Sequence, residues 1–156
     1  MAYLNTHKKT VLVLNTEFSS PLLFNAAGHA LLGLISKCDL GNWNLLNYPS
    51  PGFGIESKIS EYPVVVLRVK RSAQLEKLVQ QLDEASVPYN AFLDAMIGQT
   101  AEQQQQATFN AHPNSSRIMC VALFEIEDII RPIIKSFSVY KESDSTHLNN
   151  TLVPQL

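Results

Sequence analysis

Three short, nearly uninterrupted apolar runs, at 11–14, 64–69 and 118–124, constrain this chain more than anything else in it. Each is too short for a buried helix and too continuous for a strand with one face in water. Each therefore reads as a strand covered on both sides. A sheet covered on both sides needs helices, and the intervening chain supplies them. Ser19 or Ser20 suits a helix cap, Pro21 suits the first turn, and apolar residues at 23, 24, 27, 30, 31, 34 and 35 keep helical spacing. That helix should stop near Cys38–Gly41.

A second helix is predicted from a Ser72 cap to about Ala85, with Leu75, Leu78, Val79 and Leu82 on one face. Residues 89–93 read as a short strand ending at Asp94, 98–107 as an exposed helix, and 127–135 as a helix interrupted by Pro132. Residues 136–140 suit an edge strand. Between the first helix and the second strand, 41–62 is rich in Asn, Pro, Ser and Gly and reads as a long loop. Its aromatic residues Trp43, Tyr48 and Phe53 either cover a pocket or pin the loop to the core. Alternating strands and helices predict one α/β domain over 1–156 with a mainly parallel sheet, its core at about 10–140. The tail from 141 onward is expected to be flexible.

Composition narrows the function. Apolar residues make up 46%, charged residues 17%, and the formal net charge is −2, as in a globular protein. A slightly acidic chain lacks the basic footprint of a nucleic-acid binder, although Arg68, Lys70 and Arg71 lie close together. No window approaches the roughly 18 apolar residues of a membrane span, and the first residues do not form a secretory signal. A cytoplasmic location is expected, with Cys38 and Cys120 as free thiols.

The candidate chemistry centres on Asn25 and His29, four residues apart and hence on one helical face among Ala26, Ala27, Gly28 and Ala30. Asp94 sits in the apolar setting Phe92-Leu93-Asp94-Ala95-Met96. It serves either as a turn former or, if it reaches His29, as the group that orients the imidazole. Sites in parallel sheets form outside the carboxyl ends of strands, which points at Thr16 and Glu17 after the first strand. No metal-ligand spacing, P-loop or nucleotide fingerprint is present, and no cofactor is expected.

Three patterns carry a resemblance: Pro21-x-x-x-Asn25-x-x-Gly28-His29-Ala30, Tyr62-Pro63-Val64-x-Val66-Leu67, and Phe92-Leu93-Asp94-Ala95-Met96. In this order and spacing they resemble an uncharacterised bacterial family called domain of unknown function two thousand, within the type II peptidyl-tRNA hydrolase superfamily. The resemblance runs from about 10 to 140. It implies a three-layer α/β/α sandwich around a four-stranded mixed, mainly parallel sheet. It also implies a cleft around His29 and Asp94, with the superfamily's aspartate-alanine pair kept as Asp94-Ala95 and Thr100 near the place of the threonine that follows it. The superfamily's enzymes carry a lysine about seven residues before the histidine and a glutamine between them. Here those places hold Leu22 and Ala26, and Asn25 is the nearest amide.

Two expectations follow. In the first, the cleft binds a small polar molecule or hydrolyses an ester or amide, with His29 as base, Asp94 as orienter and Asn25 as oxyanion donor, and with Thr16, Glu17 and Thr100 as binding residues. Peptidyl-tRNA hydrolysis itself is not expected without the lysine. In the second, the chain is a non-catalytic module that forms a homodimer or binds a partner through its apolar first helix.

Overall fold

A computed structural model describes residues 7–142. The tail expected to be flexible lies outside these from residue 143 onward. The elements in chain order are β1 (Lys8–Asn15), α1 (Ser20–Lys37), β2 (Leu45–Ser50), β3 (Ile55–Ser60), β4 (Val64–Val69), α2 (Ser72–Glu84), β5 (Tyr89–Leu93), α3 (Ala101–Phe109), β6 (Ile118–Ile126), α4 (Glu127–Ile134) and β7 (Ser138–Val139). Short 3-10 turns fill Leu40–Trp43 and Asp94–Met96.

The main sheet has five strands in the order β5-β6-β1-β4-β7, not four. It is mixed but mainly antiparallel: only β1 and β4 run parallel, while β1–β6, β5–β6 and β4–β7 are antiparallel. The expectation of a mainly parallel sheet fails at one helix. It holds only if every helix crosses from one end of the sheet to the other. α3 does not; it packs beside the 3-10 turn after β5, so β6 returns antiparallel to β5.

The sheet is the middle of three layers. On one face α2 and α4 cover it, with Leu75, Leu78, Leu82 and Ile130 against Val11, Val13, Val69 and Val121. On the other face α1 lays Leu23, Ala26, Ala30 and Leu34 on Leu12, Leu14, Met119 and Cys120. β1 and β6 lie inside the sheet with both faces covered, and for this reason their sequences are apolar without alternation.

The segment expected to be a loop is ordered into a 3-10 turn and the β2–β3 hairpin, in which Gly54 takes a φ of +65°. Trp43 is pinned to the core: it stacks on Phe124 at 4.4 Å, and its indole N–H donates to Thr10 Oγ1 at 2.8 Å. Tyr48 and Phe53 are not pinned and remain exposed. Cross-strand pairing puts Leu46, Tyr48, Ile55 and Ile59 on one hairpin face, where all four are uncovered.

How closely α1 approaches the sheet edge depends on Gly33. A Cβ built there would lie 2.1 Å from Asn90 Nδ2 and 2.7 Å from Asn90 Cγ. The Asn90 amide fills that space and reaches the Ala30 carbonyl at 3.4 Å. Gly28, by contrast, has nothing within 4 Å of the same position. Gly to Ala inside a helix ordinarily gains about 0.5–1 kcal/mol. Gly33→Ala is instead expected to lose about 1–2 kcal/mol, since it overpacks the joint and displaces Asn90. Adding Asn90→Ala should restore the gain, so urea unfolding of the two single variants and the double variant should be strongly non-additive. Additive behaviour would mean that the joint is not tight.

Candidate functional site

The carboxyl ends of the strands, where a site was expected, are closed by hydrogen bonds. Asn15 is wholly buried, donates to the Ile118 carbonyl at 3.0 Å and to Glu17 Oε2 at 2.9 Å, and accepts from the Glu17 N–H at 3.1 Å. The Glu17 carboxylate also accepts from Ser72 N–H at 3.2 Å. Thr16 donates its hydroxyl to the Val69 carbonyl at 3.0 Å. Ser72 is not the helix cap; its hydroxyl accepts from Ile118 N–H at 2.9 Å and donates to Glu76. These residues tie β1, β6 and α2 together. Thr16 borders a smaller polar cavity of about 380 Å³, which Glu17 does not line.

Asp94 belongs to another joint. Its Oδ1 accepts from the Ser116 hydroxyl and from Arg117 N–H at 3.0 Å, and Oδ2 pairs with Arg117 Nε at 3.5 Å. The Arg117 guanidinium in turn lies over the Phe18 ring at 4.3 Å. Burial alone would raise the Asp94 carboxyl, but the Ser116 and Arg117 donors outweigh it and hold it below the ordinary carboxylate range. No hydrogen bond joins Asp94 to His29 among the described residues; the carboxylate bonds Ser116 and Arg117 instead. Thr100, likewise, caps α3, accepting from Gln103 N–H at 3.2 Å.

Asn25 and His29 do come together, in a cleft of about 820 Å³ between α1 and α3 over the edge strand β5. The His29 ring stacks on Phe92 with centroids 5.6 Å apart and planes at 20°. Phe92, Met96 and Ile97 make an apolar floor, while Asn90, Gln104, Gln105 and Thr108 add amides and a hydroxyl. Histidine aside, no ionisable side chain lines the cleft. Asn25 and His29 are exposed rather than embedded in the helix's apolar face; Ala26 and Ala30, one position further on, are the buried residues.

The sequence reading missed the far wall. Gln104 and Gln105 lie in a polar helix that shows no apolar stripe, and nothing local signals that α3 faces α1. Neither cysteine adds a nucleophile. Both are free thiols; burial raises Cys38 and pushes Cys120 up to about 12. Among the described residues, no group of three His, Cys, Asp or Glu side chains is placed to hold a metal ion, and no helix is long and apolar enough to cross a membrane.

Fold and cleft define a three-layer α/β/α domain whose open polar groups sit at a sheet edge, away from its strand ends. A family model described as a protein of unknown function (DUF2000) matches residues 8–141, and the chain belongs to that family. It is similar in fold to the solved structure of a protein of unknown function, Atu0240, from Agrobacterium tumefaciens str. C58. That similarity has a TM-score of 0.73 at 17% identity, over 88% of this chain and all 100% of the other. No curated protein matches.

The Asp94 joint has a pH signature. Its folded value lies below the unfolded one, so its stabilisation is present above about pH 4 and is lost as pH falls through the folded value. Arg117 is half-exposed and adds little through charge. Asp94→Asn is therefore expected to lose about 1–2 kcal/mol at pH 7 through its weakened hydrogen bonds. Urea unfolding should show the gap between variant and parent closing as pH falls below about 4. A gap that persists at low pH would assign the loss to packing instead.

Proposed function

We propose that this protein binds a small, uncharged molecule in the cleft between α1 and α3, with Asn25 and His29 as its polar contacts. The observation that carries this reading is the pairing of an apolar floor with amides, a hydroxyl and one imidazole in a cavity of about 820 Å³. His29 aside, the lining offers an ionic ligand no counter-charge for its desolvation. A ligand with an apolar body and several hydrogen-bonding groups suits the lining. Catalysis by His29 fits less well, because Asp94 is held by Ser116 and Arg117. The peptidyl-tRNA reaction of the resembled superfamily also lacks its lysine at Leu22.

Fragment screening by NMR with uncharged heteroaromatic amides tests the reading. Hits should shift His29 and Phe92 resonances. His29→Ala and Asn25→Ala should each weaken binding about tenfold, the equivalent of roughly 1.4 kcal/mol. Binding that neither substitution affects would remove the proposal. Turnover of peptidyl-tRNA that is lost in His29→Ala would replace binding with hydrolysis.

The hairpin supports a second reading, self-association. Leu46, Tyr48, Ile55 and Ile59 form an uncovered apolar face, and Phe24 and Leu32 are exposed on α1. Light scattering after size exclusion should then give a dimer mass that Ile59→Lys reduces to a monomer. A monomer at high micromolar concentration would exclude it.

A further inference from the structure

The floor of the cleft is an open sheet edge, and this narrows what fits. β5 ends the sheet order and pairs only with β6. In antiparallel pairing, alternate residues turn both main-chain groups toward the partner strand or away from it. The Tyr89 carbonyl faces away, since it accepts from Lys37 Nζ at 3.2 Å. The Leu93 N–H also faces away, toward Met96 Sδ at 3.4 Å. Ala91 lies between these two in the same phase, so its N–H and C=O point outward as well. It lines the cleft, and among the described residues no hydrogen bond outside the strand ladder closes these two groups. The ladder itself is taken up elsewhere: Thr10 N–H turns to the Pro63 carbonyl, so Val13 faces β6 and bonds Val121, which leaves Ala91 opposite Val121 facing outward.

The edge is thus blocked at both ends and open at Ala91, between walls carrying Asn25 and His29 on one side and Gln105 on the other. Among the described residues, these three side chains have no hydrogen-bond partner. A carboxamide presents a donor and an acceptor side by side, as a peptide group does.

We propose that the cleft takes an extended, uncharged segment of polypeptide, added to the sheet as a short strand across Ala91, with Asn25 and Gln105 bonding its outward peptide groups. This rests on the cleft reading above and names its ligand class. A second copy of the chain is the poorer occupant. Its own β5 edge is flanked by the same two helices, which would meet α1 and α3 before the strands paired.

The test uses 15N-labelled protein and a pooled library of capped hexapeptides of Ala, Ser, Thr, Val, Leu and Tyr. Binding should shift the Ala91 amide and slow its hydrogen exchange at least tenfold. The same pool N-methylated at alternate amides should do neither. Ala91→Pro removes an N–H that faces away from β6, so the ladder survives; core resonances should stay in place while peptide binding is lost. An unperturbed Ala91 at millimolar peptide overturns the proposal, as does a binding site elsewhere. Ala91 protection that rises with protein concentration alone also overturns it, in favour of a second copy. If peptides fail while uncharged fragments still shift His29, only this inference falls. If both fail, the cleft reading falls with it.

Discussion

Residues Thr10 to Asn15 are shut off from water on both faces of the sheet, and a strand in that position must satisfy its main chain entirely through its neighbours. β1 does so with β4 on one side and β6 on the other, over registers of six and seven residue pairs. This double pairing fixes where everything else can go. α1 must lie on the face of Leu12 and Leu14, and α2 on the face of Val11 and Val13. The last residue of the strand is polar, and its position explains why. Asn15 bonds the Ile118 carbonyl and both the main chain and the carboxylate of Glu17, so the place where β1 leaves the sheet is held without water.

That closure moves the chemistry elsewhere. In an open α/β sheet the carboxyl ends of parallel strands are free to receive a ligand. Here a single parallel pair contributes such ends, and Thr16, Glu17 and Ser72 are all engaged in joining elements. Asp94 is engaged in the same way by Ser116 and Arg117. Asn25, His29 and Gln105 are left without hydrogen-bond partners among the described residues, and they lie beside the β5 edge.

Much of this was legible in the sequence, and the boundary of legibility is physical. The buried strands show as unbroken apolar runs because both of their faces are covered. α1 and α2 show because one stripe of each must be apolar. Strand direction did not show, because periodicity records which face is buried and not which end of the sheet a helix reaches; α3 was expected as a helix, but its placement escaped for that reason. The hairpin escaped because its breakers, Pro49-Ser50-Pro51-Gly52, suit a turn between strands as well as a loop. Asn25 and His29 were found together through helical spacing alone. Asp94 opens the 3-10 turn that one of its two readings expected; its bond to Ser116 did not show, since that partner is distant in sequence and no local pattern announces it.

Gly33 links the core to the cleft. Because it has no side chain, Asn90 can sit between α1 and β5, which sets how close the helix comes to the sheet edge. The same helix carries His29 one turn earlier, and the same strand carries Phe92, on which His29 stacks. The ring thereby lies nearly parallel to the Phe92 ring, and among the described residues no carboxylate is hydrogen-bonded to it. An imidazole positioned by stacking alone is suited to accept or donate a single hydrogen bond to a bound molecule. A general base also needs its tautomer fixed from behind, and the group that could have done so is committed to Ser116 and Arg117.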